Sequence, residues 1–160
     1  MRVSAKVDYA LRATVVLAAR GATEQTPVKG ESIADAQSIP MKYLEAILSD
    51  LRQSGLVRSR RGADGGYWLD RPADEIRVAD VIRAVEGPIA TVRGERPEGV
   101  DYPDGVERLQ DVWIATRAAL RSVLEVTTLA HVARGELPTE VRALAANPDA
   151  WSPTESRARR

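Results

Sequence analysis

Three arginines and three glycines stand close together near the middle of the 160-residue chain, and this combination could bind the backbone of a nucleic acid. The planar guanidinium of arginine pairs with phosphate and also enters narrow minor grooves. Glycine has no Cβ, so it lets the backbone approach a ligand closely. The cluster is therefore a candidate DNA contact, and its members are Arg58, Arg60, Arg61, Gly62, Gly65 and Gly66.

The total charge does not by itself indicate a nucleic-acid partner, because 23 Lys and Arg balance 23 Asp and Glu. Local charge then becomes decisive. Residues 40–61 contain Lys42, Arg52 and the three arginines of the cluster, against Glu45 and Asp50 alone. The positive charge is thus concentrated in one short stretch.

Other kinds of chemistry are poorly represented in the sequence. The chain has no cysteine and a single histidine, His131, which excludes disulfides, thiolate nucleophiles and cysteine-bound metals. A metal site made of several histidines within one subunit is excluded as well. No nucleophile elbow, P-loop or dinucleotide fingerprint is present, so we predict neither an enzyme nor a bound cofactor or metal. We expect His131 to be a helix-end or dimer-contact residue, with a lone ligand or pH sensor as the alternative.

Hydrophobic spacing predicts three helices ahead of the arginine cluster. Residues 4–20 form the first, with Ser4 as its cap and a stripe of Val3, Val7, Leu11, Val15 and Ala18. The second covers Val28 to Gln37. The third starts with Pro40 as its first residue and ends at Gly55. Its apolar stripe consists of Leu44, Ile47, Leu48 and Leu51.

The rest of the third helix is polar and small, which suits a helix that enters a major groove. Its candidate DNA contacts lie off the apolar stripe: Lys42, Tyr43, Glu45, Ala46, Ser49 and Arg52.

A hairpin and a fourth helix follow. Leu56 to Arg60 and Tyr67 to Asp70 read as short strands joined by a glycine-rich turn. The fourth helix carries Val78, Val81, Ile82 and Val85 and stops at Gly87-Pro88. Helix, turn, helix and hairpin is the order of a winged helix-turn-helix, so residues 1–88 are the predicted DNA-binding domain. The predicted fold class is mainly α with a small β-hairpin wing and a long dimerisation helix.

The remainder of the chain is predicted to join two copies of the domain. Residues 89–105 form an exposed loop, and residues 106–133 give the longest helical pattern within a dimerisation segment 106–135. Its apolar face, with Leu109, Trp113, Leu120 and Leu124, is too wide for one small domain to cover, so we predict a homodimer. Residues 136–160 are expected to be a frayed or disordered tail. No apolar run is long enough for a membrane span, and we expect a cytoplasmic protein.

Several segments together resemble the IscR/NsrR family of the Rrf2 superfamily of transcription regulators. The resemblance covers about residues 1–135 and is carried by residues 6–13, 39–48, 51–57, 59–69 and 79–87, with weaker similarity at Trp113 and 126–130. It implies a dimer that controls genes through palindromic double-stranded DNA sites. By resemblance, Lys42 and Glu45 face bases, Arg61 enters the minor groove and the long helix joins the subunits.

One departure from the family is informative. Many relatives carry three cysteines in the loop after the fourth helix and bind an iron–sulfur cluster there, whereas residues 88–105 contain none. We therefore predict a regulator without a cluster, most simply a repressor. The signal is left open between a small molecule, a partner protein and no effector. The alternative function is a protein-interaction module of the same fold that no longer binds DNA.

Overall fold

Helices dominate the computed structural model, which describes residues 2–151. No helix within this range is long and apolar enough to cross a membrane. Two short antiparallel strands form its sheet. The helices and strands are α1 Ala5–Ala19, α2 Gly30–Gln37, α3 Met41–Gln53, β1 Val57–Arg60, β2 Gly66–Leu69, α4 Val78–Glu86, α5 Leu109–Leu124, α6 Leu129–Arg134 and α7 Thr139–Ala146, with 3-10 turns at Pro97–Gly99 and Pro148–Ala150.

The first helix begins where the sequence indicates, because the Ser4 side chain accepts a hydrogen bond from the Val7 N–H at 3.1 Å. Its buried face differs from the predicted stripe. Val3 is 76% exposed, and Leu11, Val15 and Ala18 are only half-buried. The face that enters the core is rotated from the predicted stripe by one residue, about 100° around the helix axis. It consists of Val7, Ala10, Ala13, Thr14, Val16 and Leu17.

Thr14 is a polar member of this buried face. Its residue surface is fully buried, and its hydroxyl donates to the carbonyl oxygen of Ala10 at 2.9 Å. That bond satisfies the polar group, so a threonine can pack among aliphatic side chains at little cost.

The second helix starts two residues later than predicted. Val28 lies outside it and forms a bridge with Tyr67, in which each residue donates its N–H to the other's carbonyl at 3.0 and 2.8 Å. Gly30 is consequently the first residue of α2. At this position the residue avoids the cost of about 1 kcal/mol that glycine has in a helix interior.

The third helix agrees closely with its prediction. All four residues of the predicted stripe, Leu44, Ile47, Leu48 and Leu51, are buried in the common core. Pro40 differs by one position, since it caps α3 and does not occupy its first turn. Its φ of −58° and ψ of 128° are extended values that proline adopts without strain.

The strands pair in the register Val57↔Leu69, Arg58↔Trp68, Ser59↔Tyr67 and Arg60↔Gly66. Leu56 and Asp70 lie just outside the strands, although the Asp70 N–H still donates to the Leu56 carbonyl at 3.0 Å. Helix α4 follows, with Val78, Val81 and Val85 buried and Ile82 half-buried. The Asp80 carboxylate accepts from the N–H of Arg77, the N-cap residue, at 3.0 Å, which satisfies a backbone donor at the start of α4.

The prediction of a single helix over residues 106–133 is wrong, because the helix ends at Leu124 and a second helix begins at Leu129. At the break the Val78 N–H donates to the Thr127 carbonyl at 2.8 Å, and the Leu129 N–H donates to the Ile76 carbonyl at 2.9 Å. These bonds hold the chain extended. Thr128 then caps α6, which places Leu129 fully inside the core of the DNA-binding domain. The last part of the predicted dimerisation segment therefore packs against the head.

The loop predicted to be exposed is in part buried. Pro97 and Val100 are inaccessible to solvent or nearly so. The side-chain amide of Gln110 donates to the carbonyls of Pro97 and Val100 at 3.3 and 3.1 Å, which fastens the 3-10 turn to α5.

The segment after Glu136 is also more regular than the frayed tail that its prolines predicted. Residues 139–146 form α7, and Pro148–Ala150 form a turn. Pro138 is the N-cap residue of α7 and Pro148 is the first residue of the turn, so both delimit these elements and do not disrupt them. The final basic residues of the predicted tail lie outside the described residues.

Candidate nucleic-acid interface

The outer face of α3 is exposed along its whole length. Lys42, Tyr43, Glu45, Ala46 and Arg52 are all exposed, and Ser49 is half-buried. The opposite face is held by the buried leucines of the stripe. This rigid support fixes the direction of the polar side chains, as a helix that reads bases requires.

Glycine is required at two positions of the wing for steric reasons. A Cβ at Gly65 would lie 2.2 Å from the carbonyl oxygen of Arg60, and a Cβ at Gly66 would lie 2.6 Å from that of Val28. Both distances are far below contact. Gly62 has φ of +106°, a value that other residues rarely adopt. The glycines therefore shape the wing, and Arg61 at its tip is exposed.

Helix α3 and the wing enclose a groove of about 410 Å³. The groove brings together seven of the predicted contacts, which are spread over 22 positions of sequence: Glu45, Arg52, Arg60, Arg61, Gly62, Gly65 and Gly66. Arg60 is fixed here by a hydrogen bond from its guanidinium to the Asp64 carbonyl at 3.1 Å. The positive side chains that line the groove outnumber the carboxylates of Glu31 and Glu45, so the groove suits a polyanion.

Arg58 differs from its neighbours, because its guanidinium pairs with the Asp70 carboxylate across the base of the wing. The side chain is still 67% exposed. Its charge is nevertheless largely compensated locally, and a surface ion pair of this kind contributes little stability. Arg58 is thus a weaker candidate than Arg60 or Arg61.

The sequence prediction missed Lys29, which lines the same groove from the start of α2. No periodicity marks this residue, since it precedes the helix. Gln53 also lies off the apolar stripe of α3 and is not among the predicted contacts. It is exposed at the end of α3 and lines a second groove with Ser49 and Arg52.

Helix α5 contributes no buried residue to the single chain. Leu109, Val112 and Trp113 are 40%, 51% and 38% exposed, and Leu120 and Leu124 are half-buried. The Trp113 indole N–H donates to the Tyr102 hydroxyl at 2.9 Å, so its polar atom is satisfied and its ring stays available. The predicted dimer residues thus form an apolar strip that the rest of the described protomer does not bury.

A helix-turn-helix whose second helix presents a polar face beside an arginine-tipped hairpin defines a DNA-binding regulator of the winged helix-turn-helix class. Residues 3–135 match the model of the Rrf2 family, described as iron-dependent transcriptional regulators. The chain belongs to this family.

Named relatives have the same function class. An HTH-type transcriptional regulator of Mycobacterium tuberculosis, Rv1287, is 51% identical over 145 residues, which are 91% of this chain and 89% of the relative. The HTH-type transcriptional regulator CymR of Bacillus subtilis is 38% identical over 133 residues, 83% of this chain and 90% of the relative. The family and these relatives are regulators and not enzymes.

Solved structures support the fold. The structure of CymR, the global cysteine regulator of B. subtilis, superposes with a TM-score of 0.70 at 36% identity, over 84% of this chain and 98% of that chain. IscR of T. potens gives a TM-score of 0.67 at 34% identity, over 84% and 88% of the two chains.

The residues of this chain do not fit an iron–sulfur cluster, although the family description mentions iron. Such clusters are bound by cysteine thiolates, with histidine as an occasional replacement, and the chain has no cysteine. Between α4 and α5 the Glu98 carboxylate is already paired with Arg117 at 2.6 Å. Among residues 2–151 no group of three or more potential metal ligands comes together.

Proposed function

We propose that this protein is a sequence-specific transcription regulator that acts as a homodimer on a pseudo-palindromic operator, represses by occupying the promoter, and does so without an iron–sulfur cluster. The observation that carries the proposal is the groove between α3 and the wing. It places Glu45 beside Arg52, Arg60 and Arg61 on one exposed surface. The family membership supports the DNA partner, and such a partner implies a cytoplasmic protein.

The residues of α3 and the wing have different roles in the proposed contact. Lys42, Glu45, Ala46 and Ser49 are assigned to base edges, because they lie on the outer face of α3. A carboxylate accepts from cytosine N4, and a small methyl group contacts the methyl of thymine. Arg61, with Gly62 beside it, is assigned to the minor groove. Arg52, Arg60 and Tyr43 are assigned to the phosphate backbone.

The homodimer is supported by the uncovered apolar strip on α5. Large apolar side chains that are contiguous and exposed mark interaction surfaces. A self-complementary contact between two α5 helices would bury Leu109 and Trp113 of both copies and give the pair two-fold symmetry. Two DNA-binding heads would then meet half-sites about 10 base pairs apart or a multiple of that spacing.

Selection of bound DNA from a random pool tests this function. The selected fragments are expected to share a pseudo-palindromic sequence. Sedimentation at micromolar protein is expected to show a dimer bound to it. Selected fragments with no common sequence, or a monomer that binds them equally well, would contradict the proposal. No binding above a scrambled duplex would favour the protein-interaction alternative.

A further inference from the structure

A cavity of about 470 Å³ lies between the end of α4, the following loop and α5. It is separate from the groove beside the wing and shares no lining residue with it. Four guanidinium groups line it, those of Arg83, Arg96, Arg117 and Arg121. Such a concentration of one charge is unfavourable unless negative charge compensates it.

The protein supplies only part of that compensation. Arg83 and Arg121 share the Glu125 carboxylate, the latter at 2.8 Å, and Arg117 binds Glu98 at 2.6 Å. Arg83 also pairs with Asp80 at 3.6 Å, so three carboxylates face four guanidinium groups. Arg96 has no carboxylate within 4.0 Å of its guanidinium among residues 2–151. The cavity therefore keeps an excess of positive charge.

Apart from Thr91 and the paired Glu98, the remainder of the lining is small or apolar. It consists of Gly87, Pro88, Ile89, Ala90 and Pro97, and Pro97 is buried. The volume falls within the range that holds small metabolites. Guanidinium groups bind carboxylate and phosphate through paired N–H donors, and an apolar wall accommodates a short carbon chain.

We propose that this cavity binds a small organic anion carrying two or more carboxylate or phosphate groups, and that this anion is the effector of the regulator. The effector role rests on the proposed function, whereas binding itself does not. Because Arg83 belongs to α4 and Arg117 and Arg121 belong to α5, the anion would bridge the DNA-binding head and the proposed dimer helix. Its binding would favour one spacing of the two heads over others.

Calorimetric titration of the full-length protein with citrate and, separately, with pyrophosphate tests the binding step. Ionic strength is held constant, and each probe is raised to about 10 mM to cover weak binding. The two probes distinguish a carboxylate from a phosphate preference. Saturable binding of at least one is expected.

Two variants with opposite expected effects separate ligand binding from damage to the fold. Arg96→Gln should weaken binding about tenfold or more, because it removes a charge-assisted hydrogen bond donor. Glu98→Gln should tighten it severalfold, because it frees Arg117 and removes a competing negative charge. Arg134→Gln, which removes the same charge from α6 outside the cavity, should leave binding unchanged.

A gel shift with the selected operator, with and without the bound probe, tests the effector role. Operator affinity should change at least threefold in the wild type and stay constant in Arg96→Gln. No saturable binding of either probe, or binding that Arg96→Gln leaves intact, would overturn the site. Binding without any effect on operator affinity would overturn the effector role. Failure of the wild type to bind DNA would contradict the proposed function while the calorimetric result would stand.

Discussion

At the scale of single residues, the wing arginine and the helix carboxylate should give different phenotypes. Arg61 is exposed at the wing tip with no carboxylate partner within 4.0 Å among residues 2–151, so its full charge is available to DNA. Arg61→Ala should weaken operator binding by roughly 1–3 kcal/mol and reduce the preference for a narrow A·T-rich groove. Fluorescence anisotropy titrations with the selected operator measure both effects.

Arg58→Ala serves as the matched comparison, because it removes the same group from the same hairpin. Since Arg58 already pairs with Asp70, its loss should cost less than that of Arg61 and should lower the salt dependence by about one phosphate contact at most. Equal losses for the two variants would mean that the wing tip has no special part in binding.

Glu45 should govern selection more than affinity. A carboxylate on the outer face of α3 accepts a hydrogen bond from cytosine N4 but repels phosphate, so its net contribution to affinity is small. Glu45→Ala should therefore relax the preference at one or two base positions and leave affinity for the best operator nearly unchanged. Competition between single-base operator variants measures this, with Glu140→Ala on α7 as control. A uniform effect on every sequence would contradict base reading.

At the scale of elements, the apolar strip of α5 should hold the dimer together. Leu120→Glu combined with Leu124→Glu should abolish both the dimer and operator binding, because the introduced charges would be buried between the helices. Sedimentation and circular dichroism separate dissociation from unfolding. Leu109→Glu is a gentler variant, since Leu109 is 40% exposed in the protomer and is not needed for its core. Ala118→Glu, on the opposite side of α5, should leave a dimer.

The link between α4 and α5 should respond to acid. Hydrogen bonds from Arg121 and then Arg83 lower the pKa of the Glu125 carboxyl below its ordinary value. A lowered pKa in the folded state means that this link stabilises the protein above the unfolded pKa of glutamate. The contribution is lost as the pH falls through the folded value.

Glu125→Gln should accordingly lower the free energy of unfolding at pH 7 and make its decline in acid shallower. Urea unfolding at several pH values measures both slopes. Glu140→Gln, an exposed carboxylate on α7, should keep the wild-type slope. A wild-type slope in Glu125→Gln would mean that the carboxylate does not link the helices.

The elements that the sequence predicted well are those in which local signals and tertiary packing agree. In α3 the apolar stripe, the proline at the start and the glycine after the end point to the same helix, and all four stripe residues are buried. The wing glycines were likewise recognisable, because turn chemistry is local. Their steric role against Arg60 and Val28, however, depends on contacts that only the folded chain shows.

The errors occurred where distant parts of the chain decide the local structure. The break after α5 depends on two hydrogen bonds to a segment some 50 residues earlier. The Val78 N–H donates to the Thr127 carbonyl, and the Leu129 N–H donates to the Ile76 carbonyl. The helical spacing of apolar residues continues through this break, so the sequence pattern gives no sign of it. The buried face of α1 was displaced because α1 packs against four other helices, α2, α3, α4 and α6, so small residues such as Ala10 and Ala13 face the core. Lys29 was missed for the same reason, since the groove that includes it is tertiary.

At the scale of the whole molecule, the protein should work without iron. Cysteine thiolates are the ligands that hold iron–sulfur clusters, and the chain offers none. The segment that joins the DNA-binding head to α5 presents guanidinium groups instead, and these stay protonated and cannot act as metal ligands. Protein purified anaerobically after growth with added iron should be colourless and should contain far less than one iron per chain. Its affinity for the operator should be the same before and after exposure to nitric oxide.

An absorbance spectrum with iron analysis is the measurement, and a cysteine-containing family member treated in parallel shows that the procedure retains clusters. Stoichiometric iron with visible absorbance bands would contradict the cluster-free proposal. Because the operator titration is run on the same sample, loss of DNA binding would be recognised separately from the presence of iron.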